Sequence, residues 1–216
     1  AGELCQGTVG ADGAIPRNNP NLKPEVGTTL DLTAERMFNG GAFRFTLFQE
    51  SMKDTLLSQL NANTNITNVQ NIDDVRTRGA ELTYEKRRFV FDRFDLYANV
   101  TRTDAIIRRN ANFPAANGKV MPRIPKWGAK LLLTYRPTAS WIVAVGARYA
   151  SDPFWNLDNS DYRHENYWTI TGFFQVEGKV TWRGPRGLTA SLGVDNVTND
   201  RHYVVHAMPL RTTFVE

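Results

Sequence analysis

The sequence predicts an all-β fold, an antiparallel transmembrane β-barrel, here a partial barrel of about nine long strands. Its main signal is an alternation of apolar and polar residues from Val26 onward, clearest where Ala80, Leu82 and Tyr84 alternate with residues 81, 83 and 85. Because successive side chains of a strand point to opposite faces, each such segment has one apolar and one polar face. Short turns alternate with long loops, as in a sheet that meets lipid outside and water inside.

Strand length separates this barrel from a soluble sandwich. The alternation from Thr169 to Arg183 runs for about fifteen residues, whereas strands of globular proteins usually have about 5–6. Four short turns come at nearly even spacing, near positions 40, 90, 138 and 186. Regular strands with turn signals are typical of a barrel or a sandwich, and the long strands with long loops at one end favour the barrel.

The elements follow in order from two prolines in residues 19–25, which exclude a central strand position. The turn at Asn39-Gly40-Gly41 is favoured because asparagine and glycine tolerate positive φ. The predicted hairpins pair residues 29–35 with 43–47, 75–86 with 94–101, 129–135 with 141–149, and 170–182 with 188–194. Residues 52–71 are interpreted as a loop or as strand extended beyond the sheet. Long loops are expected at 108–125 and 151–166, and a short last strand at 211–216.

Aromatic residues support a membrane. Five of them lie on the predicted apolar faces near strand ends, namely Tyr84, Tyr135, Trp141, Tyr149 and Trp182. Amphipathic rings favour the headgroup level of a bilayer and form girdles at both edges of the apolar band. The core of an ordinary sandwich would also place such rings on an apolar face. However, the polar faces carry charges at mid-strand, which suits a water-filled interior: Asp31, Glu35, Glu81, Glu85, Arg148, Glu177 and Lys179.

Composition excludes several other classes. The 216 residues are 41% hydrophobic with mean hydropathy −0.42, and no run approaches the roughly 18 apolar residues of a membrane-spanning helix. The net charge of +4 is spread over turns and loops, so no nucleic-acid partner is predicted. One cysteine, Cys5, cannot form a disulfide framework or a thiolate metal cluster within this chain. The first residues lack the pattern of a signal peptide, so an exported protein would be a processed form or a fragment.

No catalytic chemistry is predicted. His202 and His206 are four residues apart, as zinc ligands on a helix often are, but they stand in a segment that looks like loop and lack a neighbouring glutamate. No phosphate-binding glycine loop and no G-x-S-x-G motif is present. The sequence therefore predicts no catalytic residue, no metal site and no cofactor.

The long loops hold the candidate ligand-binding residues. They combine aromatic rings with cations, which are enriched where ligands are held. The candidates are Phe154, Trp155, Tyr162, Arg163, His164, Trp168, Arg108 and Arg109. Lys119 and Arg123 add positive charge that would attract an anionic chelate or lipopolysaccharide phosphates. The alternative is that these aromatics form the outer girdle and the cations its polar rim.

Four segments in this order carry a resemblance to a known family: NPNLKPE (19–25), RTRGAELTYEKR (76–87), GKVMPRIPKWGAKLLLTYRP (118–137) and LGVDNVTNDRHY (192–203). Together they resemble the C-terminal part of the barrel of TonB-dependent outer-membrane receptors, siderophore receptors among them. The resemblance implies a 22-stranded barrel closed by a plug domain. It also implies short turns in the periplasm and long loops outside the cell. Residues 1–18 are then a loop remnant and 19–216 a receptor segment, with the plug domain and earlier strands absent.

The resemblance implies TonB-dependent uptake of a scarce nutrient, a ferric siderophore by family frequency, in the outer membrane of a Gram-negative bacterium. The implied partners are outer-membrane lipid and lipopolysaccharide, the TonB complex through the plug, and a small ligand such as a ferric chelate. A soluble β-sandwich or β-barrel module that binds sugar or lipid is the alternative. An enzyme on a β scaffold is a third hypothesis, for which the sequence offers no Ser–His–acid constellation.

Overall fold

The computed structural model describes residues 21–61, 66–161, 170–205 and 213–215. Ten strands lie in this part of the chain: β1 (Val26–Phe38), β2 (Gly41–Asn61), β3 (Ile66–Phe89), β4 (Phe94–Arg109), β5 (Trp127–Tyr135), β6 (Trp141–Ala150), β7 (Phe173–Arg183), β8 (Thr189–Val194), β9 (Tyr203–Val205) and β10 (Thr213–Val215). Two 3₁₀ turns, at Pro114–Ala116 and Pro185–Gly187, are the helical elements described. Within the described residues, no helix has the length and apolar character needed to cross a membrane.

Strands β1 to β8 form one antiparallel sheet in sequence order, so every strand pairs with its neighbours in the chain. Strands β9 and β10 pair with each other in a separate two-stranded sheet. The eight-stranded sheet is not closed, which makes it a partial barrel, as the alternation predicts. The expected count of about nine long strands becomes eight, because the predicted last strand is the short β10 outside the main sheet.

The first hairpin shows why the short turns are tight. Asn39 and Gly40 alone connect β1 to β2, and Phe38 is directly opposite Gly41. Gly40 has φ of +71°, a conformation that favours glycine. Its carbonyl accepts a 2.6 Å hydrogen bond from the Arg87 N–H on β3, which ties the turn to the next hairpin.

The structure decides one open alternative and moves one boundary. The polar stretch 52–71 was expected to be a loop or strand extended beyond the sheet, and it is strand for most of its length, since β2 continues to Asn61 and β3 starts at Ile66, with the two paired. Strand β7 starts at Phe173, later than the alternation predicts. The chain leaves the ladder before it because the Gly172 N–H is held by the Asp152 carboxylate instead.

Register brings an apolar stripe from each of the eight strands to one face, called here the apolar face and defined as the side that carries Leu82. Ala34, Phe45, Leu82, Val100, Ala129, Tyr149 and Phe174 form one continuous row across seven strands. Leu82, Leu131 and Val145 on this face are 39%, 45% and 44% exposed, so no second layer covers them. A sandwich would bury these side chains, and the structure therefore favours the barrel over the sandwich.

The predicted aromatic residues lie at both edges of this face. Toward the short turns, rings contact between strands: Phe94–Tyr135 at 4.5 Å and Trp141–Trp182 at 6.5 Å on adjacent strands, and Phe38–Tyr84 at 5.8 Å between β1 and β3. Toward the long loops, Tyr149 is opposite Phe174, and Trp127 is opposite Arg102 with the guanidinium over its ring. This arrangement is the pair of girdles expected of a membrane-spanning sheet.

The opposite side, defined by Glu81, is the polar face. Its side chains bond across strands: Arg44 donates to Glu35 at 2.6 Å, and the Thr101 hydroxyl donates to Glu81 at 3.2 Å. Further along, Arg148 donates to Gln175 at 3.2 Å. In a barrel this face lines a wet interior, because the strands alternate apolar residues outside with polar residues inside.

Candidate functional site

The long-loop end carries the small buried core of the described structure. Val75 on β3 is opposite Ile107 on β4, at positions that continue the polar face beyond the charged rows. With Ile72 and Ala116, these residues are at most 4% exposed. Partly buried side chains pack around them: Met52, Leu57, Phe113, Met121 and Leu157. The core therefore gives the mouth of the sheet a firm apolar floor on its inner side.

Two loops fold over this floor and are fastened to each other. The Asn159 side chain bonds the Val120 backbone twice, accepting from its N–H at 2.8 Å and donating to its carbonyl at 2.9 Å. The Arg123 N–H donates to the Phe154 carbonyl at 2.7 Å. Asn159 has φ of +56°, a left-handed conformation that asparagine tolerates better than most residues. The loops 110–126 and 151–161 are thus joined into one packed unit.

Within the second loop, one carboxylate organises the turn that holds Trp155. Asp161 accepts hydrogen bonds from the N–H groups of Trp155 at 2.5 Å and Asn156 at 3.0 Å. The Asn156 amide donates to the Ser160 hydroxyl at 3.0 Å. A carboxylate that bonds two successive N–H groups fixes the backbone locally, as in an Asx turn. The Trp155 ring is consequently presented from a rigid turn.

Arg123 lies across the face of that ring. Its guanidinium carbon is 4.1 Å from the centroid of the Trp155 ring, well within cation–π range. Burial lowers the pKa of Arg123 from its ordinary value, since the charged form loses water. An arginine starts so far above neutral pH that the group stays a cation. An exposed cation held over an aromatic ring presents a positive charge and a π surface together, which suits an anionic or π-rich ligand.

A cavity of about 350 Å³ opens beside this pair. It combines the cation, the ring, apolar side chains of the floor and an acid, and it is lined by Leu57, Ser58, Phe113, Pro122, Arg123, Trp155, Asn156, Leu157, Asp158 and Ser160. Polar and apolar side chains share this lining equally, so the cavity is more polar than most small-molecule sites, and its volume falls at the lower end of their usual range.

Asp158 is the acidic residue among the described side chains that line the cavity. Burial by itself would raise the pKa of this carboxyl, but hydrogen bonds from the Ser160 hydroxyl and N–H outweigh it and hold the pKa below its ordinary value. The Ser160 N–H lies 3.1 Å from Oδ1. The carboxylate is therefore ionised at neutral pH, and it lines the same cavity as the Arg123 cation.

The predicted site residues divide into three groups. Trp155 lines the cavity, and Phe154 contributes its backbone carbonyl to the loop contact described above. Tyr162, Arg163, His164 and Trp168 lie outside the described residues. Arg108 and Arg109 stand at the end of β4, away from the cavity lining.

The two β4 arginines form ion pairs of their own. Arg108 Nε is 3.8 Å from Asp74 Oδ2, and Arg109 Nε is 3.9 Å from Asp73 Oδ2. Both arginine side chains are more than half exposed, so these pairs are weak. Asp73 also accepts the Ala111 N–H at 2.7 Å, which gives the pair a part in shaping the loop after β4.

The cavity residues that were not singled out from the sequence include Leu57, Phe113 and Asp158. Leu57 belongs to the extended part of β2, and the other two stand in loops far apart in the chain. Their convergence depends on how two loops pack against the end of a strand, for which no local pattern gives a signal. Among the described residues, no group of three or more His, Cys, Asp or Glu side chains is placed to hold a metal ion.

Comparison with known proteins places the chain in a family. The family model for the TonB dependent receptor-like β-barrel matches residues 2–197. The probable TonB-dependent siderophore receptor PiuA of Acinetobacter baumannii is 20% identical over 200 residues, which cover 88% of this chain and 25% of PiuA. The chain thus spans about a quarter of the length of the curated relative it matches.

Solved structures share the fold. The crystal structure of PiuA superposes with a TM-score of 0.69 at 20% identity, over 89% of this chain and 27% of that one. The ferric citrate transporter FecA gives 0.71 at 19% identity, over 88% and 29%. The ferric yersiniabactin uptake receptor FyuA of Yersinia pestis gives 0.69 at 14% identity, over 89% and 28%.

The family is one of transport receptors of the Gram-negative outer membrane rather than of enzymes, and it explains the two-faced sheet, the aromatic edges and the asymmetric loops together. The chain belongs to the TonB-dependent receptor β-barrel family.

Proposed function

We propose that this chain is part of an outer-membrane receptor that imports a ferric siderophore. The observation that carries the proposal is the two-faced sheet, whose exposed apolar rows are bounded by aromatic residues while its other face is charged. The printed names of PiuA, FyuA and FecA describe a siderophore receptor, a ferric yersiniabactin receptor and a ferric citrate transporter. These names support the choice of a ferric chelate as substrate.

The proposed activity is transport without bond-making chemistry. Residues 19–216 would supply the C-terminal segment of the barrel, and residues 1–18 a loop that precedes it. A plug domain elsewhere in the receptor would close the barrel and connect it to the TonB complex. Release of the ligand would then depend on movement of that plug, while the segment described here supplies membrane surface, lumen wall and outer mouth.

The cavity beside Arg123 and Trp155 is the proposed point of ligand contact. It lies at the long-loop end, which faces outward in this family, and on the inner side of the sheet. The cation would attract the negative charge of a ferric chelate, the ring would stack on its flat surface, and Asp158 would accept from a hydroxyl or amide group. Preformed loops reduce the ordering cost of binding.

Uptake of radioactive iron by cells that carry this receptor as their sole siderophore receptor tests the function. Ferric citrate, a ferric catecholate and a ferric hydroxamate would be offered separately, with and without a functional TonB complex. Accumulation of one chelate that requires TonB is the expected result. If none of the chelates enters above the level of receptor-deficient cells, the ferric siderophore proposal is wrong.

Substitutions in the full-length receptor test the site. Trp155→Ala and Arg123→Gln should each weaken binding of the transported chelate, by about tenfold for loss of a ring contact and a cation–π partner. Arg109→Gln is the matched control, because it removes a loop-end arginine outside the cavity. If all three variants bind the chelate with the same affinity, the cavity is not part of the binding site. The transport proposal would not be affected by that result.

Lipopolysaccharide is proposed as a second contact, on the apolar face just above the membrane band. Arg78 on β3 and Arg102 on β4 are exposed and follow Ala80 and Val100 on this face in the direction of the long loops. Arg102 lies over the Trp127 ring at 5.7 Å from the centroid, which holds the guanidinium at the girdle. Phosphate groups of lipopolysaccharide lie at this level of the outer leaflet, and arginine binds phosphate well.

A further inference from the structure

At the opposite end of the sheet, the short turns enclose a basic concavity that the transport proposal leaves unused. It has a volume of about 630 Å³ and is lined by the first and second turns and the start of the third. Four lining side chains are cationic, Lys86, Arg87, Arg88 and Arg136, and two are acidic, Asp92 and Asp95. The lining therefore carries an excess of two positive charges.

The acidic side of the lining is already engaged. Asp95 Oδ2 is 2.6 Å from an Arg136 guanidinium nitrogen, and its Oδ1 accepts the Arg88 N–H at 2.9 Å. Arg87 and Arg88 are exposed, and their guanidinium groups make none of the ion pairs found in the described part of the chain. These two cations are thus available to an anion from outside.

One wall of the concavity belongs to the membrane-facing surface. Lys86 shares its register row with Leu96, Leu133 and Val145, which are apolar-face residues. Its ammonium group lies 5.2 Å from the centroid of the Phe38 ring and donates to the Asn39 carbonyl. Since Phe38 stacks on Tyr84 in the aromatic edge, the concavity lies level with the lipid headgroups on the short-turn side.

The tip of the second turn adds an apolar feature to the same place. Val90 and Phe91 are 53% and 89% exposed, and both have positive φ, as do Arg88 and Asp92. Positive φ is costly for side chains of this size and is tolerated where other interactions fix the backbone. Exposed apolar residues flanked by cations suit an anionic lipid interface, where a chain or glycerol region contacts the ring and the cations meet phosphate.

We propose that this concavity binds the headgroup of an anionic phospholipid, of the phosphatidylglycerol or cardiolipin class, in the periplasmic leaflet of the outer membrane. The phosphate diester pairs with Arg87 and Arg88, and the acyl chains run along the apolar face past the Phe38–Tyr84 edge. Phosphatidylethanolamine fits less well because its ammonium group meets the same excess of positive charge. The lipid would fix the turn end of these strands at the membrane boundary.

Native mass spectrometry of the full-length receptor tests this proposal. The receptor, in detergent, would be titrated with phosphatidylglycerol, with phosphatidylethanolamine and, separately, with glycerol phosphate as a soluble headgroup. The double variant Arg87→Gln/Arg88→Gln should weaken phosphatidylglycerol binding on the order of tenfold and leave phosphatidylethanolamine binding unchanged. Both side chains are exposed, so the barrel should keep its heat-resistant gel mobility.

The matched control removes two exposed cations from the other end of the same hairpin, at the end of β4. Arg108→Gln/Arg109→Gln should leave phosphatidylglycerol binding at the wild-type level. Equal loss in both double variants would mean a general charge effect and would overturn the proposal, as would equal affinity for the two phospholipids. Glycerol phosphate binding as tight as the lipid would identify a soluble anion instead. Siderophore uptake is measured in the same variants, so failure here is distinguishable from failure of the transport function.

Discussion

Leu131 and Leu132 are neighbours on β5 with almost the same exposure, 45% and 44%, but they lie on opposite faces of the sheet. Leu131 shares its row with Tyr84 and Val176 on the apolar face, and Leu132 shares its row with polar-face residues. If the apolar face meets hydrocarbon and the polar face meets water, the same substitution at the two sites must have different costs.

The expected cost follows from the position of Leu131 in the strand. It is the central residue of β5, four residues from both Trp127 and Tyr135. Four residues span about 13 Å, which is about 10 Å along the membrane normal at the usual strand tilt of about 40°. Leu131 therefore lies near the midplane, where an arginine costs about 2–4 kcal/mol.

Leu132→Arg is the control, and its row explains why it should be tolerated. Glu85 and Glu177 share this row on the polar face, so a new cation there meets carboxylates and water. The expected change in the free energy of unfolding is within about 0.5 kcal/mol, as for most surface substitutions.

The assay is urea unfolding of the full-length receptor in lipid vesicles, followed by the heat-resistant gel mobility of the folded barrel. Leu131→Arg should lower the free energy of unfolding by about 2–4 kcal/mol more than Leu132→Arg does. Equal losses in the two variants, or no loss in Leu131→Arg, would refute the assignment of the apolar face to lipid.

Two further predictions concern packing and charge. Gly79 lies under the Phe48 ring, and an added Cβ would meet that ring and the Arg102 carbonyl oxygen. Gly79→Ala should therefore lower the free energy of unfolding by about 1–3 kcal/mol in the same assay. Adding Phe48→Ala to this variant should recover part of that loss. If the effects of the two substitutions are fully additive, the contact between them is contradicted. The second concerns pH: because the pKa of Asp158 is lowered in the folded loop, its stabilising effect is present above its ordinary value and is lost as pH falls through the lower folded value. The measurement is hydrogen exchange in residues 154–161, corrected for intrinsic rates. The Asp158→Asn variant should be less protected than wild type at pH 7, and this difference should vanish in strong acid. A difference that grows on acidification would contradict the assigned direction of the pKa shift.

The alternation of apolar and polar side chains predicted most of the fold. A strand has a period of two wherever it sits, so the faces of residues such as Leu82 and Glu81 followed from local sequence, and register later joined them into rows. The glycine turns and the aromatic edges were predictable for the same reason, since each depends on a few adjacent residues. The ends of the strands were less predictable, because the extension of β2 and β3 depends on their pairing with each other.

Part of the proposed binding site was also visible in the sequence, since Trp155 and Arg123 stand out as a ring and a cation in long loops. The contact between these two side chains was not visible in the sequence. The guanidinium of Arg123 lies 4.1 Å from the Trp155 ring because Asn159 bonds the Val120 backbone across 39 residues of chain. The basic concavity also depends on contacts between distant segments, since residues 39–40, 86–95 and 136 meet only after three hairpins are aligned.

By itself, then, the sequence determined which face of each strand is apolar and which end of the sheet has short turns, because both depend on spacing along the chain. Only the tertiary structure decided which loop and turn side chains converge, because those contacts depend on strand register and on packing between segments far apart in the sequence.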